Sequence, residues 1–345
     1  MNKVLTAVVL LLSASPFSGA RAAGAAKHAE IQRAVDRSAA LLAQSIAEYP
    51  KHNTCFSCHH HGVPALALSL ARSHGLFTDG ADGKSVAAAA DTIEQQTAKD
   101  LRGDLENYRK GAGQPGGVTR AGYALLALQA CGTKADDVTA AVVGFLLQKN
   151  EDKGFWPAGS NRPPAEASPF TNTLLAIRAL RAYGALADKP AIDSRIERAR
   201  QWLEQAEPKE TEDRVFQLWA LSEAGASPTV LDKWTKALVA EQRPDGGWAQ
   251  LPGAATDCYA TATVVAMLRI CGLAPGTDPA LQRGVAYLLH AQEADGSWHV
   301  VSRSKPVQPY FESGFPHGRD QFISAATTAW AICALTLCDP AVPAK

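Results

Sequence analysis

One apolar signature returns six times along the chain, and a repeat of this kind constrains the fold more than any other feature. Its copies are Pro64-Ala-Leu-Ala-Leu-Ser-Leu70, Tyr123-Ala-Leu-Leu-Ala-Leu128, Leu174-Leu-Ala-Ile-Arg-Ala-Leu180, Phe216-Gln-Leu-Trp-Ala-Leu221, Thr263-Val-Val-Ala-Met-Leu268 and Trp330-Ala-Ile-Cys-Ala-Leu335. A segment that is apolar nearly all round reads as a helix enclosed on every side. Glycines follow five of the copies, at Gly75, Gly132, Gly184, Gly225 and Gly272, as left-handed helix caps would. Between the copies lie six amphipathic stretches, roughly Ala29 to Tyr49, Val86 to Glu106, Ala135 to Gln148, Ile192 to Ala206, Pro228 to Glu241 and Pro279 to Ala291. Twelve helical segments of two alternating kinds predict an all-α protein in which an outer ring of six helices packs around an inner ring of six, an (α/α)6 toroid. An open solenoid of helix hairpins is the alternative.

Two of the outer segments end in nearly the same words, Glu241-Gln-Arg-Pro-Asp-Gly-Gly-Trp248 and Ala291-Gln-Glu-Ala-Asp-Gly-Ser-Trp298, with a looser copy ending at Trp156. Gln242 and Gln292 can bond free carbonyls at a helix end, Asp-Gly makes a tight turn, and the indole covers the gap before the next helix. These are staples between neighbours, without chemistry of their own. The Gln-x-x-x-Asp-Gly-x-Trp wording resembles the repeated motif of the squalene-hopene cyclase and prenyltransferase superfamily, and the helix rhythm extends the resemblance over most of the chain. It implies a single toroid domain over residues 23–345, and leaves function open, because one ring serves cyclases, lipid-transferring enzymes and binding proteins.

The resemblance also supplies a test. In the cyclases, the acid that protonates the polyene lies in an Asp-x-Asp-Asp-Thr-Ala segment opening an inner helix; the equivalent stretch here is Asp257-Cys-Tyr-Ala-Thr-Ala262. Tyr259 stands where the proton donor should be and Ala260 where the next acid should be. A phenol of pKa about 10 does not replace a strong carboxylic acid, so proton-initiated cyclisation is not expected. The prenyltransferases use a zinc site of Asp, Cys and His, but Asp257 and Cys258 are adjacent on a helix and diverge, and no histidine completes the set. For Asp257 and Tyr259 two readings stand: a helix cap and a core residue, or a pair lining the mouth of a central cavity.

Met1 to Ala22 has an early Lys3, an apolar stretch from Val4 to Leu12 and the small-residue sequence Ala20-Arg21-Ala22, the layout of a secretory signal. The mature chain is expected to start near Ala23 and to be periplasmic or secreted; an uncleaved anchor is the rival reading, but so short an apolar core would span a bilayer poorly. No other apolar run is long enough to span, so no integral membrane protein is expected after cleavage. With 34 basic against 34 acidic residues, nothing suggests nucleic acid as a partner.

Export bears on Cys55-Phe-Ser-Cys58-His59, which sits just ahead of the first inner helix and is followed by His60 and His61. This is the c-type haem attachment pattern, and resembles the cytochromes c over these five residues alone. Two thiols three apart form thioethers with the two vinyl groups, and the next histidine is held as axial ligand. The resemblance therefore implies haem c with Cys55 and Cys58 as anchors and His59 on the iron. A zinc or copper site using these thiolates with His60 or His61 is a second reading, and a local disulfide or structural loop a third. In a toroid all outer-to-inner connections share one end of the ring. The longest, His299 to Asp320, carries Arg303, Lys305, Tyr310, Phe311 and Pro316-His317-Gly318-Arg319. His317 or His299 is thus a candidate sixth ligand, and Arg319 a candidate propionate partner. Cys131, Cys271, Cys333 and Cys338 read as buried thiols, a Cys333–Cys338 bond being the alternative for that pair. Three functions follow: a haem protein acting in electron transfer or redox chemistry with a partner protein or an apolar molecule; a non-redox terpenoid- or lipid-binding toroid; and a structural or protein-binding ring with a Cys/His metal staple.

Overall fold

The computed structural model describes residues 16–77, 80–274, 276–306 and 309–341. Most of the expected export segment, Met1 to Ala22, lies outside these residues. The inner helices are α2 (Val63–Ser73), α5 (Gly117–Cys131), α7 (Pro169–Tyr183), α9 (Thr211–Glu223), α11 (Cys258–Ile270) and α13 (Gln321–Leu337). The outer ones are α1 (Pro16–Glu48), α3 (Gly80–Gly103), α6 (Asp137–Gln148), α8 (Lys189–Gln205), α10 (Pro228–Ala240) and α12 (Pro279–Ala291). A short α4 (Leu105–Arg109), which the apolar pattern does not announce, packs on α6.

Each inner helix packs on the next, and α13 returns to pack on both α1 and α2, so the ring is closed and the open solenoid is excluded. The apolar pattern follows from this enclosure: in α13 every residue from Ile323 to Thr336 is buried, whereas α10 has Leu238 alone in that class. Polar groups tie the seam. Gln292 Nε2 donates to Ala34 O and Ser38 Oγ of α1, both at 2.9 Å, and Ser38 Oγ donates to Gly296 O at 2.7 Å.

The three tryptophan turns share one geometry. The indole Nε1 of Trp156, Trp248 and Trp298 donates to the carbonyls of Leu146, Leu238 and Leu288, ten residues back in the outer helix, at 2.8, 2.9 and 2.7 Å. The backbone N–H of each then donates to Thr173, Thr261 or Thr328 of the following inner helix. Gln242 does not cap its own helix end as expected but ties the turn to the next outer helix, donating to Gly246 O and to Ala280 O at the start of α12. Of the five predicted cap glycines, Gly75, Gly132, Gly225 and Gly272 are left-handed, with φ of 65–82°. Gly184 is extended instead; its lack of a side chain serves close approach, since a Cβ there would lie 2.4 Å from Ile192 Cδ1.

The inner ring leaves little room between neighbours. A Cβ on Gly122 of α5 would meet Leu175 Cβ of α7 at 2.6 Å, and that atom is fixed to its backbone. Gly122→Ala is therefore expected to force α5 and α7 apart and cost about 1–3 kcal/mol, read as a lower urea midpoint with an unchanged slope. Cys131, Cys258, Cys271, Cys333 and Cys338 are free thiols. No helix of the described residues is long and apolar enough to cross a membrane.

Candidate functional site

The segment between α1 and α2 is fixed locally before it meets the rest of the ring. Asn53 Oδ1 accepts from Cys55 N at 3.2 Å, and Gln96 of α3 donates to the carbonyls of Asn53 and Cys55. Ser57 caps one turn of π-helix, Cys58–Gly62, by accepting from His60 N. Such turns are rare and recur at functional sites. The wide turn separates the three histidines. His60 and His61 point inward, fully enclosed: His60 Nε2 lies 2.8 Å from Ser313 Oγ, and His61 Nδ1 accepts from Ser57 N at 3.1 Å. His59 turns the other way.

Cys55, Cys58 and His59 all line one cavity of about 540 Å³ at the end of the ring where the outer-to-inner connections meet, a size typical of cofactor pockets. Its walls come from four of those connections and the helix starts that follow them, contributing Phe56, Thr119, Arg120, Arg162, Glu166, Phe322 and Ile323. The long loop before α13 lies across the end: Arg303 donates to Gln250 Oε1 and Glu210 Oε2, and Ser304 Oγ to Pro163 O. That loop brings Lys305, Tyr310, Arg319 and Asp320 to the cavity as well.

The electrostatics centre on Glu166, which is almost fully buried. His59 Nδ1 lies 3.2 Å from Glu166 Oε1, and Arg162 forms an ion pair with Oε2. Burial lowers the His59 pKa, with Glu166 opposing and Arg162 reinforcing the shift, so at neutral pH the ring is uncharged. With Nδ1 turned to the carboxylate, Nε2 is the nitrogen left to accept a ligand. Burial, with Glu166 adding to it, holds the Cys58 thiol well above its ordinary pKa, so it is a thiol rather than a thiolate. Four cations line the cavity against two acids. Arg120 is paired with Asp100 and Arg162 with Glu166; among the described residues Lys305 and Arg319 have no ion-pair partner.

Other candidate residues lie elsewhere. His317 does not line this cavity: its Nε2 is 2.7 Å from Ser297 Oγ and its ring stacks on His299, on the far side of Asp320. Neither Asp257 nor Tyr259 lines it. Asp257 caps α11, accepting from Ala260 N and Gln250 N. Tyr259 is core, its hydroxyl donating to Glu212 Oε2 at 3.0 Å. Glu212, in turn, is buried at the start of α9, takes a second bond from Thr171, and has its pKa pushed up to about 8 by burial. Sequence reading missed Glu166, Arg162 and Glu212.

A family model described as the squalene-hopene cyclase C-terminal domain matches residues 210–342. Among solved structures, the chain is similar to a type II terpene cyclase variant from Scytonema in complex with geranylgeranyl dihydroxybenzoate, at 13% identity and a TM-score of 0.55, covering 92% of this chain and 99% of that one. A glycosidase variant in complex with glucose aligns comparably, at 12% identity and a TM-score of 0.53, covering 92% and 98%. No curated protein matches the chain. The likeness to solved structures shows the toroid fold, and the family model covers its second half, from α9 to α13. The Cys55–His59 segment lies outside the family match.

Proposed function

We propose that this is an exported toroid that carries haem c in the rim cavity, on Cys55, Cys58 and His59, and works in electron transfer or redox chemistry. The observation that carries the reading is that these three side chains open on one cavity while Glu166 occupies His59 Nδ1. A histidine that ligates through one nitrogen is ordinarily oriented by an oxygen acceptor on the other. Cys55 and Cys58 would carry the thioethers, and His59, its ring neutral, would hold the iron through Nε2. Lys305 and Arg319, which have no ion-pair partner among the described residues, suit propionates, and Phe56, Phe322 and Ile323 suit the macrocycle. When bound, the haem supplies one-electron chemistry; the chain fixes its orientation, its dielectric and its access to a partner protein or an apolar molecule.

The zinc or copper reading of the same segment is less well supported. A tetrahedral ion with bonds of about 2.0–2.3 Å needs converging donors. His60 and His61 face away, and among the described residues the three donors that do converge lie elsewhere.

Expression with its export signal in a host that attaches haem outside the cytoplasm tests the proposal. A pyridine haemochrome assay should give one haem per chain, retained on a denaturing gel. Cys55→Ala/Cys58→Ala should abolish the stain, while His59→Ala should keep it and shift the Soret band. Folded, exported protein without haem overturns the reading, and stoichiometric zinc or copper lost with the two thiols would replace it with a metal centre.

A further inference from the structure

Just outside the cavity, beyond Asp320, a second group of donors converges without any part in the site above. Glu293, His299 and His317 each present one ligand atom, and these atoms lie within 4.8 Å of one another. They come from two separated pieces of chain, the tryptophan turn after α12 and the turn that leads into α13. The two imidazoles stack face to face, with centroids 4.4 Å apart and planes within 5°. Each is oriented through a ring nitrogen. His299 Nε2 lies 2.9 Å from Asp320 Oδ2, whose other oxygen accepts from Ser302 N. His317 Nε2 lies 2.7 Å from Ser297 Oγ, which bonds Asp295 Oδ1 at 2.6 Å. Nδ1 of each ring is thus a remaining donor, and each ring already has the oxygen partner that orients metal-bound histidines.

We infer that Glu293, His299 and His317 form a binding site for one zinc-like divalent cation. Two imidazoles and one carboxylate make a mixed nitrogen and oxygen set with a coordination position open to water, a set that suits zinc and, more strongly, copper(II) rather than calcium or magnesium. Asp295 and Asp320 add negative charge behind the two rings. Nothing in this site depends on haem at Cys55, Cys58 and His59.

Zinc titration of the full-length exported protein, untagged and stripped with a chelator, tests the inference by calorimetry. One Zn²⁺ per chain is expected, with the affinity reduced at least about 10-fold in His299→Ala/His317→Ala and by about 10-fold in Asp320→Asn, which removes only the charge orienting His299. Copper(II) loaded in place of zinc should show nitrogen hyperfine coupling in its electron paramagnetic resonance spectrum, lost in the double variant. Circular dichroism and haem content should not change in His299→Ala/His317→Ala, neither residue of which lines the haem cavity, and this keeps failure of this site distinct from failure of the haem reading. Absence of stoichiometric binding, or zinc uptake that survives His299→Ala/His317→Ala and vanishes in Cys55→Ala/Cys58→Ala, overturns the inference.

Discussion

Trp298→Ala is expected to lower stability by about 3–5 kcal/mol, the range for truncating a fully buried aromatic. The indole has no exposed surface, and its removal leaves a cavity between α12 and α13 as well as an unpaired Leu288 carbonyl. Its position adds to the effect. The turn that Trp298 completes contains Gly296, whose carbonyl accepts from both Ser38 and Gln292, and Gln292 also reaches Ala34, so this turn is where the last outer helix is fastened to the first. Trp298→Phe keeps most of the apolar area and loses the indole bond, for which a loss nearer 1–2 kcal/mol is expected. Leu186→Ala, at a side chain 85% exposed, should change stability by less than about 0.5 kcal/mol. Urea unfolding of the three variants gives the comparison. A loss under about 1 kcal/mol for Trp298→Ala would mean that the seam is held by the helices alone.

The same turn shows what was readable from sequence and why. The tryptophans act ten residues back or on the next helix, so a local pattern carries their roles, whereas Gln242 and Gln292 also reach other outer helices, at Ala280 and Ala34. The inner helices were legible because enclosure on all sides removes the polar face, and that leaves a mark in composition. Closure was not marked in any one segment; it depends on α13 meeting α1 and α2, which the count of six repeats and the resemblance carried by the tryptophan motif suggested. At the site, Cys55, Cys58 and His59 were found by their spacing, whereas Glu166 and Arg162 are single residues in a long connection between α6 and α7 with no periodicity to expose them. Their importance comes from standing opposite His59 across the end of the ring. His317 was expected near His59 because its loop is at the right end of the toroid. The loop is there, since Arg319 and Asp320 line the cavity, but the chain turns at His317, with φ of 79°, and delivers that side chain to Ser297 and His299 instead. Which way a residue faces in an irregular loop has no sequence signature. Asp257 and Tyr259 illustrate the converse: the segment opens an inner helix where it was predicted to, yet the first residue serves as its cap and the second is spent on Glu212.

Glu212 leads to the second large effect, a loss of stability with rising pH. Its carboxyl is enclosed by Thr171, Tyr259 and the start of α9. Burial raises its pKa to about 8, assisted by Asp213 and Glu210 and opposed by the bonds from Thr171 and Tyr259. Tyr123 and Tyr259, the phenols nearest to it, are held protonated far above neutrality by their own burial, so they do not titrate with it. In the unfolded chain a glutamate has a pKa of about 4.3. Between these values the folded state binds the extra proton, so stability must fall as pH rises through that window and level off above about 8. The slope for one group is about 1.4 kcal/mol per pH unit, so between pH 6 and pH 8 Glu212 by itself should cost the folded state roughly 2–3 kcal/mol. His59, His60 and His61 are buried with lowered pKa values; below about pH 7 they raise stability as pH rises and oppose the Glu212 effect, and above it they are neutral in both states, so the comparison with a Glu212 variant, in which they cancel, isolates the carboxyl. Glu212→Gln keeps the shape and stays uncharged, and the hydroxyls of Thr171 and Tyr259 can turn to accept from its amide. The margin between its urea midpoint and that of the unsubstituted chain should therefore grow from pH 6 to about pH 8 and change little above that, because the buried thiols, whose raised pKa values weaken the fold at alkaline pH, are common to both proteins. An equally steep alkaline decline in both proteins would mean that Glu212 is already ionised in the folded ring, with Tyr259 and Thr171 stabilising the anion.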